Sequence, residues 1–228
     1  MPGAPRDARE LARFIDHTLL APGTAQPAVE RLCAEAREHG FAAVCVRAEW
    51  GPLAKRLLAG APVRVAIVVD FHEGKGTTAA RIAEATAAVE AGADELDLVA
   101  PLPELLAGRW ERVFEDLRAV VTASAVPVKV ILETAQLSTD QKVAAAAVAV
   151  AAGVAFLKTS TGFAGRGATV EDVALLRAVG GERAAVKASG GIRTAADALA
   201  MIRAGATRIG TSSGVAIVTG TMPGGDGY

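Results

Sequence analysis

Four charged residues stand inside segments that are otherwise apolar, and their types could do chemistry on a carbonyl compound. They are Asp97, Lys129, Lys158 and Lys187. Lysine and aspartate are rarely buried unless they are paired. A lysine amine attacks a carbonyl carbon only when it is neutral, and its ordinary pKa is about 10.4. Because burial and a neighbouring ammonium group both lower that pKa, two buried lysines can supply a nucleophilic amine near neutral pH.

The positions of these residues suggest a role for each. Lys158 and Lys187 lie in successive apolar segments, so we expect Lys158 to be the nucleophile and Lys187 the cation that lowers its pKa. Asp97 offers a carboxylate for proton transfer, directly or through water. A second interpretation stays open, in which Lys129, Asp97 and another charge only neutralise one another in a buried ion-pair network.

Three segments rich in glycine and hydroxyl groups accompany these residues. Residues 159–162 (TSTG) follow Lys158, residues 188–191 (ASGG) follow Lys187, and residues 210–214 (GTSSG) follow the last apolar segment. Glycine lets backbone N–H groups approach an anion, and hydroxyl groups add donors. One such segment is ordinary turn chemistry, but three after neighbouring strands predict a phosphate site.

The elements that must position these residues repeat along the chain. Short segments rich in valine and isoleucine, which indicate buried strands, alternate with longer alanine-rich segments of helical periodicity. The eight predicted strands are Ile15–Leu19, Ala42–Arg47, Arg64–Val69, Glu95–Val99, Pro127–Leu132, Val154–Thr159, Ala184–Ala188 and Thr207–Thr211. This α/β pattern predicts a single-domain (β/α)8 TIM barrel over residues 1–220, with residues 221–228 as a flexible glycine-rich tail. An open, doubly wound sheet is the alternative.

The predicted barrel gives the four charged residues a common location. Each of them is expected toward the carboxyl end of its strand. That end is the face at which barrels of this architecture place their chemistry.

The composition narrows the class of protein. The chain has 228 residues, is 51% hydrophobic, and has a formal net charge of -1, so its charge favours neither a nucleic-acid nor a membrane partner. Its two cysteines, Cys33 and Cys45, lack the spacing of a zinc site or a disulfide framework and are expected to be buried thiols. The charged N-terminal segment does not resemble a signal peptide, so we expect a soluble, cytoplasmic protein.

The chain resembles the deoxyribose-phosphate aldolase family in seven segments. These are residues 16–20 (DHTLL), 44–46 (VCV), 92–97 (GADELD), 129–134 (KVILET), 156–162 (FLKTSTG), 186–193 (VKASGGIR) and 208–213 (RIGTSS). They extend over nearly the whole chain. The order KTSTG, KASGG and GTSS is highly specific to this family.

The resemblance implies an activity and a set of site residues. The activity is the reversible cleavage of 2-deoxy-D-ribose 5-phosphate to D-glyceraldehyde 3-phosphate and acetaldehyde, in deoxyribonucleotide catabolism. Lys158 would form the Schiff base, with Lys187 and Asp97 as its catalytic partners. The residues expected to bind or line the substrate are Asp16, Thr18, Cys45, Lys129, Gly162, Gly190, Gly191, Gly210, Ser212 and Ser213. No metal or organic cofactor is expected, because the protonated imine is itself the electron sink, and we expect a homo-oligomer, either a dimer or a tetramer.

The chain departs from the family in two places. Where relatives have Phe-Pro-x-Gly after the third strand, residues 71–74 read FHEG, and we expect His72 and Glu73 to be solvated loop residues, although His72 could alter access to the site. Residues 98–102 read LVAPL, where many relatives have a polar residue. Tyr228, the only tyrosine, resembles a terminal tyrosine that assists proton transfer in some family members, but it could equally have no role.

Two other functions remain open at this point. One is a different Schiff-base aldolase on the same scaffold, acting on a keto acid or a ketose phosphate, which would call for a dedicated arginine such as Arg166 or Arg193. The other is a barrel that binds a sugar phosphate without turning it over, for which the altered segment at residues 71–74 is the only support.

Overall fold

Eight strands alternate with helices along the chain. The computed structural model describes Pro5 and residues 7–221. The strands are β1 (Ile15–Thr18), β2 (Ala43–Val46), β3 (Arg64–Val69), β4 (Glu95–Val99), β5 (Val128–Ile131), β6 (Phe156–Lys158), β7 (Ala185–Ser189) and β8 (Arg208–Thr211). All eight predicted strands are therefore confirmed, with bounds that differ by no more than two residues.

The helices connect the strands and form an outer layer. They are α1 (Ala8–Ala12), α2 (Gln26–His39), α3 (Gly51–Leu57), α4 (Thr78–Glu90), α5 (Leu102–Leu106), α6 (Trp110–Ala123), α7 (Thr139–Ala152), α8 (Val170–Gly180), α9 (Ala195–Arg203) and α10 (Gly214–Thr219). None of the helices among the described residues is both long and apolar enough to cross a membrane.

The strands form one closed parallel barrel in the order β1 to β8. The closure is made by β1 and β8, which pair in parallel with Asp16 opposite Gly210. A closed barrel excludes the open, doubly wound alternative. It also brings the carboxyl ends of all the strands to one face, where barrels of this architecture place their chemistry.

Local signals at the helix ends explain why the chain turns where it does. Ser138 caps α7 in a reciprocal capping box with Gln141, and Thr194 does the same for α9. At the other end, Gly40 follows α2 and Gly153 follows α7 with φ values of 68° and 92°. Glycine adopts this left-handed conformation without the steric cost of a side chain, which ends each helix before the next strand.

The molecule has two apolar regions separated by the sheet. The larger one lies between the barrel and the surrounding helices and includes buried residues from every strand. The smaller one lies beside β1, β2 and β3 and consists of Leu20, Cys45, Ala66 and Val68. Side chains alternate across a strand, so the residues that face away from the helices project into the barrel. The remaining interior is charged.

Candidate active site

Strand alternation brings the charged residues of four strands into the barrel interior. Asp97 and Lys187 are fully buried, and Lys158 is 2% exposed. Lys158 is the last residue of β6 and lies at the carboxyl end of its strand, as predicted. The prediction that all of them lie near strand ends is wrong for Asp97, Lys129 and Lys187, which occupy inner positions of β4, β5 and β7. They still meet in the barrel interior, because Lys129 lies beside Asp97 on the neighbouring strand and the long Lys187 side chain reaches Asp97 from β7.

The carboxylate of Asp97 is the meeting point of three lysines. Its Oδ2 atom lies 2.6 Å from the Lys158 Nζ atom and 2.7 Å from the Lys187 Nζ atom. Its Oδ1 atom lies 2.9 Å from the Lys129 Nζ atom. The structure therefore brings together the four charged residues that the sequence singled out. The ion-pair interpretation is correct for Lys129, whose amine is held between two carboxylates, Asp97 and Glu95.

Six charged groups form a closed ring of alternating sign, here called the charge ring. Its members, in order, are Glu95, Arg208, Asp16, Lys187, Asp97 and Lys129, and the last of these returns to Glu95. Four of its contacts do not involve Asp97. Arg208 lies 3.0 Å from Glu95 and 2.5 Å from Asp16. Lys187 lies 2.5 Å from Asp16, and Lys129 lies 2.6 Å from Glu95. Three carboxylates and three cations balance one another in the ring.

Lys158 contacts the charge ring but is not a member of it. Its one carboxylate contact in the described barrel interior is with Asp97, and Lys187 and Lys129 use the same carboxylate. If Lys158 carries a proton, the buried cluster therefore has one positive charge in excess. Of the three lysines that meet at Asp97, Lys158 is the one that can lose its proton without breaking an ion pair of the charge ring.

The pKa of Lys158 is lowered from its ordinary value. Burial is the largest cause, and the nearby Lys187 ammonium lowers it further, while Asp97 opposes both. The pKa of Lys187 moves the other way: burial would lower it, but Asp16 and Asp97 together raise it above the ordinary value. The two lysines therefore differ in the way the sequence predicted, with one amine that loses its proton more readily and one that stays charged.

The carboxylates of the ring stay ionised. Burial alone would raise the pKa of Asp97, but Lys129, Lys158 and Lys187 hold it well below the ordinary value. The pKa of Asp16 is likewise lowered, because Arg208 and Lys187 outweigh the effect of its burial. Both groups are therefore ionised at neutral pH and can accept hydrogen bonds from the lysine amines.

Thr18 and Cys45 border the site on the side of β1 and β2. The Thr18 hydroxyl donates a hydrogen bond of 2.9 Å to the Asp16 carbonyl oxygen. The Cys45 Sγ atom lies 3.8 Å from the Asp97 Oδ2 atom, and burial together with Asp97 raises the pKa of the Cys45 thiol. Cys33, in α2, faces away from the site, and both cysteines are buried and free as predicted.

The loops after β6 and β7 lie against each other. Gly162, Gly190 and Gly191 have φ values of 89°, 90° and 76°, which only glycine adopts readily. A Cβ atom on Gly190 would lie 2.8 Å from the Cα atom of Gly167 and 3.6 Å from that of Gly162, so the two backbones are in close contact. The hydroxyl of Thr211 donates 2.7 Å to the Ile192 carbonyl oxygen and links the end of β8 to the same loops.

Gly210 lies inside β8 and not in the loop after it, which corrects the position given by the sequence. A Cβ atom at this position would lie 2.3 Å from the Ser189 Oγ atom and 3.0 Å from the Lys187 Cε atom. Glycine at this position therefore leaves room first for the Ser189 side chain and also for the Lys187 side chain. Ser212 and Ser213 do follow β8, and the Ser213 N–H donates 2.9 Å to the Thr211 hydroxyl.

An aromatic cluster stands beside the small apolar region at the carboxyl end of the barrel. The His72 ring is stacked on the Phe163 ring with centroids 5.1 Å apart, and the Phe71 ring meets Phe163 edge-on at 5.2 Å. His72 lies in a turn, as expected of a loop residue, but it is only partly exposed because its ring stacks on Phe163. Glu73 is exposed as expected.

The sequence did not reveal the roles of Glu95, Arg208 and Glu133. Glu95 and Asp97 stand two residues apart on one strand, so period-two alternation was a usable signal that both face the interior. Glu133 has no comparable signal. It has a positive φ of 54°, and its Oε2 atom accepts hydrogen bonds from the Thr161 N–H at 3.1 Å and from the Thr161 hydroxyl at 2.6 Å. This contact ties the loop after β6 to the end of β5.

The fold and the site define a closed β/α barrel with a lysine of lowered pKa in a charged interior, and known proteins of this class match the chain. The model for DeoC/LacD family aldolases matches residues 11–220. A deoxyribose-phosphate aldolase of Carboxydothermus hydrogenoformans is 49% identical over 222 residues, which is 95% of this chain and 97% of that one. The deoxyribose-phosphate aldolase of Brevibacillus brevis is 48% identical over 217 residues, with 95% and 98% covered.

Solved structures agree with these relatives. A candidate deoxyribose-phosphate aldolase from Coccidioides immitis has a TM-score of 0.93 and 45% identity, covering 96% of this chain and 88% of that one. The tetrameric deoxyribose phosphate aldolase from Aeropyrum pernix has a TM-score of 0.88 and 31% identity, covering 95% and 92%. This chain belongs to the DeoC/LacD aldolase family.

Proposed function

We propose that this protein is a deoxyribose-phosphate aldolase that works through a Schiff base on Lys158. The reaction is the reversible cleavage of 2-deoxy-D-ribose 5-phosphate to D-glyceraldehyde 3-phosphate and acetaldehyde. The observation that carries the proposal is the position of Lys158, whose amine contacts Asp97 at 2.6 Å yet stands outside the balanced charge ring. Relatives with that name, nearly half identical over almost the full chain, support the choice of substrate.

The first half of the reaction uses the neutral amine. The Lys158 nitrogen attacks the C1 aldehyde of the open-chain sugar, and the carbinolamine then loses water to give a protonated imine. The Asp97 Oδ2 atom contacts the Lys158 amine, and the Lys187 amine contacts the same oxygen. These two groups can therefore move a proton to the departing hydroxyl group. The charged Lys187 keeps the amine of Lys158 available by lowering its pKa.

The second half breaks the carbon–carbon bond. A base removes the proton from the C3 hydroxyl, the C2–C3 bond breaks, and its electron pair moves through C2 toward the iminium nitrogen to form an enamine. C3 becomes the aldehyde carbon of glyceraldehyde 3-phosphate. Protonation of C2 and hydrolysis of the imine then release acetaldehyde and restore Lys158. Asp97 and Lys187 are the proton carriers nearest to the amine by the described contacts.

The phosphate group is assigned to the loops after β6, β7 and β8. These loops follow β6, β7 and β8 at the carboxyl end of the barrel, which is the usual phosphate site of this architecture. The residues assigned to it are Gly162, Gly190, Gly191, Ser212 and Ser213 in these loops, together with Gly210 near the end of β8. Asp16, Thr18, Cys45 and Lys129 line or support the reacting end of the substrate.

The C-terminal segment retains its predicted role as a proposal. Residues 222–228, including Tyr228, lie outside the described residues. Deleting Tyr228 is expected to slow proton exchange at the donor carbon of acetaldehyde more than it slows Schiff-base formation. Exchange measured by proton NMR in D2O would show this, and equal rates in the two proteins would exclude a role for Tyr228.

The proposed activity is tested by the release of aldehyde from different sugar phosphates. The protein is expected to release acetaldehyde and glyceraldehyde 3-phosphate from 2-deoxyribose 5-phosphate, and to leave fructose phosphates intact. Lys158→Arg should abolish this release. Lys142→Arg is the matched control, because Lys142 is a buried lysine that pairs with Asp172 at 2.5 Å between α7 and α8. Cleavage of a ketose phosphate instead would contradict the substrate.

The same proposal implies a cellular location and an oligomeric state. We infer that it acts in the cytoplasm in deoxyribonucleotide catabolism, and that it forms a homo-oligomer. The tetramer of the Aeropyrum pernix relative supports assembly, as do three exposed apolar side chains, Leu106 at 43%, Phe114 at 37% and Val143 at 43%. Sedimentation velocity of the purified protein would show a dimer or tetramer, and a single monomer peak at micromolar concentration would contradict it.

A further inference from the structure

Glu95 and Arg208 lie beneath the reacting groups and touch neither Lys158 nor the glycine-rich loops by any described contact. Glu95 opens β4 and precedes Asp97 by two residues, and Arg208 opens β8. Both are nearly fully buried. Such a buried pair is costly to desolvate and is not needed for a stable barrel, because apolar residues fill the same space at least as well. Its position next to the site therefore calls for a functional explanation.

The contacts of Glu95 place it at the junction of three cations. Its Oε2 atom lies 2.6 Å from the Lys129 Nζ atom, and its two oxygens accept a bidentate pair of 3.0 Å hydrogen bonds from Arg208. Arg64 reaches the Oε1 atom at 2.9 Å from the exposed rim of β3. Because a bidentate guanidinium fixes the carboxylate plane, Glu95 is a rigid anchor for the amine of Lys129.

The anchor decides which oxygen of Asp97 each lysine uses. Lys129, held by Glu95, contacts the Oδ1 atom, while Lys158 and Lys187 share the Oδ2 atom. Arg208 has the same function on the other side, since its contacts of 2.7 and 2.5 Å with the Asp16 Oδ1 atom leave the Oδ2 atom of Asp16 for Lys187. Each cation of the charge ring thus lies between two carboxylates, and Lys158 contacts only Asp97.

We propose that Glu95 and Arg208 are positioning residues that close the charge ring and thereby select Lys158, among the three lysines at Asp97, as the amine that reacts. The proposal rests on the proposed function. It predicts that opening the ring at Glu95 leaves the cluster with an uncompensated positive charge next to Lys158. The groups that face Lys158 are Asp97, Lys187 and Cys45, and those that face Glu95 are Lys129, Arg208 and Arg64.

The test is Glu95→Gln, which keeps the size of the side chain and removes its charge. We expect kcat to fall about tenfold, because Lys129 and Lys187 then compete for Asp97, while KM for 2-deoxyribose 5-phosphate changes by less than about threefold. We also expect the acid limb of the kcat/KM profile to move to lower pH by about one unit, because loss of a nearby negative charge disfavours the ammonium form of Lys158.

Asp94→Asn is the matched control. Asp94 precedes Glu95 by one residue and faces the other side of β4, where it binds Lys55 at 2.5 Å and the Val65 N–H at 2.9 Å. The same acid-to-amide change there should leave kcat and the acid limb as in the wild type. Glu95→Asp, which restores the charge with a shorter reach, should recover part of the lost kcat.

A second variant covers the case in which Glu95→Gln does not fold. In Glu95→Gln/Arg208→Gln the buried charges balance again, so this protein is expected to fold while its kcat stays below one tenth of the wild-type value. Wild-type kcat and an unshifted acid limb in a folded Glu95 variant would overturn the proposal. Failure of the wild-type protein itself to cleave the substrate would instead overturn the proposed function, so the two failures are distinguishable.

Discussion

Lys158 differs from Lys129 and Lys187 in having fewer carboxylate partners. Lys129 and Lys187 each have two carboxylates at 2.9 Å or less, and Lys129 has a third, Asp16, at 4.0 Å, whereas Lys158 shares a single oxygen of Asp97. The sequence predicted that Lys158 lies with Lys187 and Asp97, because charged residues in apolar strands are unusual, and the structure brings these three side chains together. It could not predict the partner count, since the contact between Arg208 and Asp16 joins residues 192 positions apart.

At Lys187, loss of the ammonium should make Lys158 harder to deprotonate. Lys187 lowers the pKa of Lys158 and also occupies the oxygen that Lys158 uses. In Lys187→Met we therefore expect the acid limb of Schiff-base formation to move to higher pH by about one unit or more. The measurement is the rate of borohydride-trapped adduct as a function of pH.

Lys142→Met is the control for this variant, because it removes a buried, paired lysine far from the barrel interior. It should leave the acid limb where it is in the wild type. An acid limb that stays in place, or moves to lower pH, in Lys187→Met would contradict the role given to Lys187.

At Asp97, removal of the negative charge should destabilise the fold as well as stop catalysis. In Asp97→Asn the amines of Lys129, Lys158 and Lys187 would lose the carboxylate that they share. Breaking a buried ion pair in this way costs roughly 3–5 kcal/mol. Urea unfolding of this variant should show such a loss, while Asp94→Asn, which breaks a partly exposed pair, should lose less than about 1 kcal/mol. Equal losses in the two variants would count against the charge ring.

The strands and the loops after them were predictable to different degrees. All eight strands could be predicted from apolar periodicity. Ser138 and Thr194 are residues of the type that caps helices, and α7 and α9 begin directly after them. The contacts between loops could not be predicted from the sequence, because they join segments that are distant in the chain. Glu133 at the end of β5 accepts two hydrogen bonds from Thr161 in the loop after β6. The segment around Glu133, residues 129–134 (KVILET), resembles the family but does not indicate this contact.

The Glu133 contact makes a prediction about the loop after β6. Thr161→Val keeps the shape of the side chain but removes the hydroxyl that donates 2.6 Å to Glu133 and accepts from the Phe163 N–H at 3.1 Å. A lost hydrogen bond of about 1 kcal/mol corresponds to roughly a fivefold effect. We expect KM for 2-deoxyribose 5-phosphate to rise about fivefold with little change in kcat.

Steady-state kinetics of Thr161→Val would show this separation of KM from kcat. Thr86→Val is the control, because Thr86 is exposed on α4 and bonds only to the Ile82 carbonyl oxygen by the described contacts. A large fall in kcat with unchanged KM would mean that the loop serves the chemical step and not the phosphate.

As a whole, the barrel is apolar outside and charged within, which explains what the sequence could and could not predict. The apolar layer between strands and helices produces the periodicity from which the closed barrel was predicted. The interior depends on which side chains meet after eight strands have closed, and no local pattern specifies that. Glu95 and Arg208 were therefore missed, although both stood in segments that resembled the family.

The charged interior should make the stability of the whole molecule dependent on pH. Although burial opposes it, the ionic partners lower the folded-state pKa values of Asp16, Glu95 and Asp97. Unfolding therefore takes up protons below about pH 5, and this contribution to stability is present above the ordinary carboxyl pKa and is lost as the pH falls. Between about pH 7 and pH 3 we expect the free energy of unfolding to fall by about 3 kcal/mol.

Urea unfolding at several pH values measures this slope. Asp97→Asn, which lacks one of the three carboxylates, should show a shallower fall than the wild type, and Asp94→Asn should follow the wild type. A free energy of unfolding that stays constant or rises toward acid pH would contradict the assignment of ionised carboxylates in the interior.

The central claim is that the amine of Lys158 forms the covalent intermediate, and borohydride trapping tests it most directly. The protein is incubated with 2-deoxyribose 5-phosphate, reduced, digested and mapped by mass spectrometry. We predict one stable adduct, on Lys158, in the wild type and in the Lys142→Arg control, and no adduct in Lys158→Arg. An adduct on Lys129 or Lys187, or no adduct while the sugar phosphate still binds, would contradict the account.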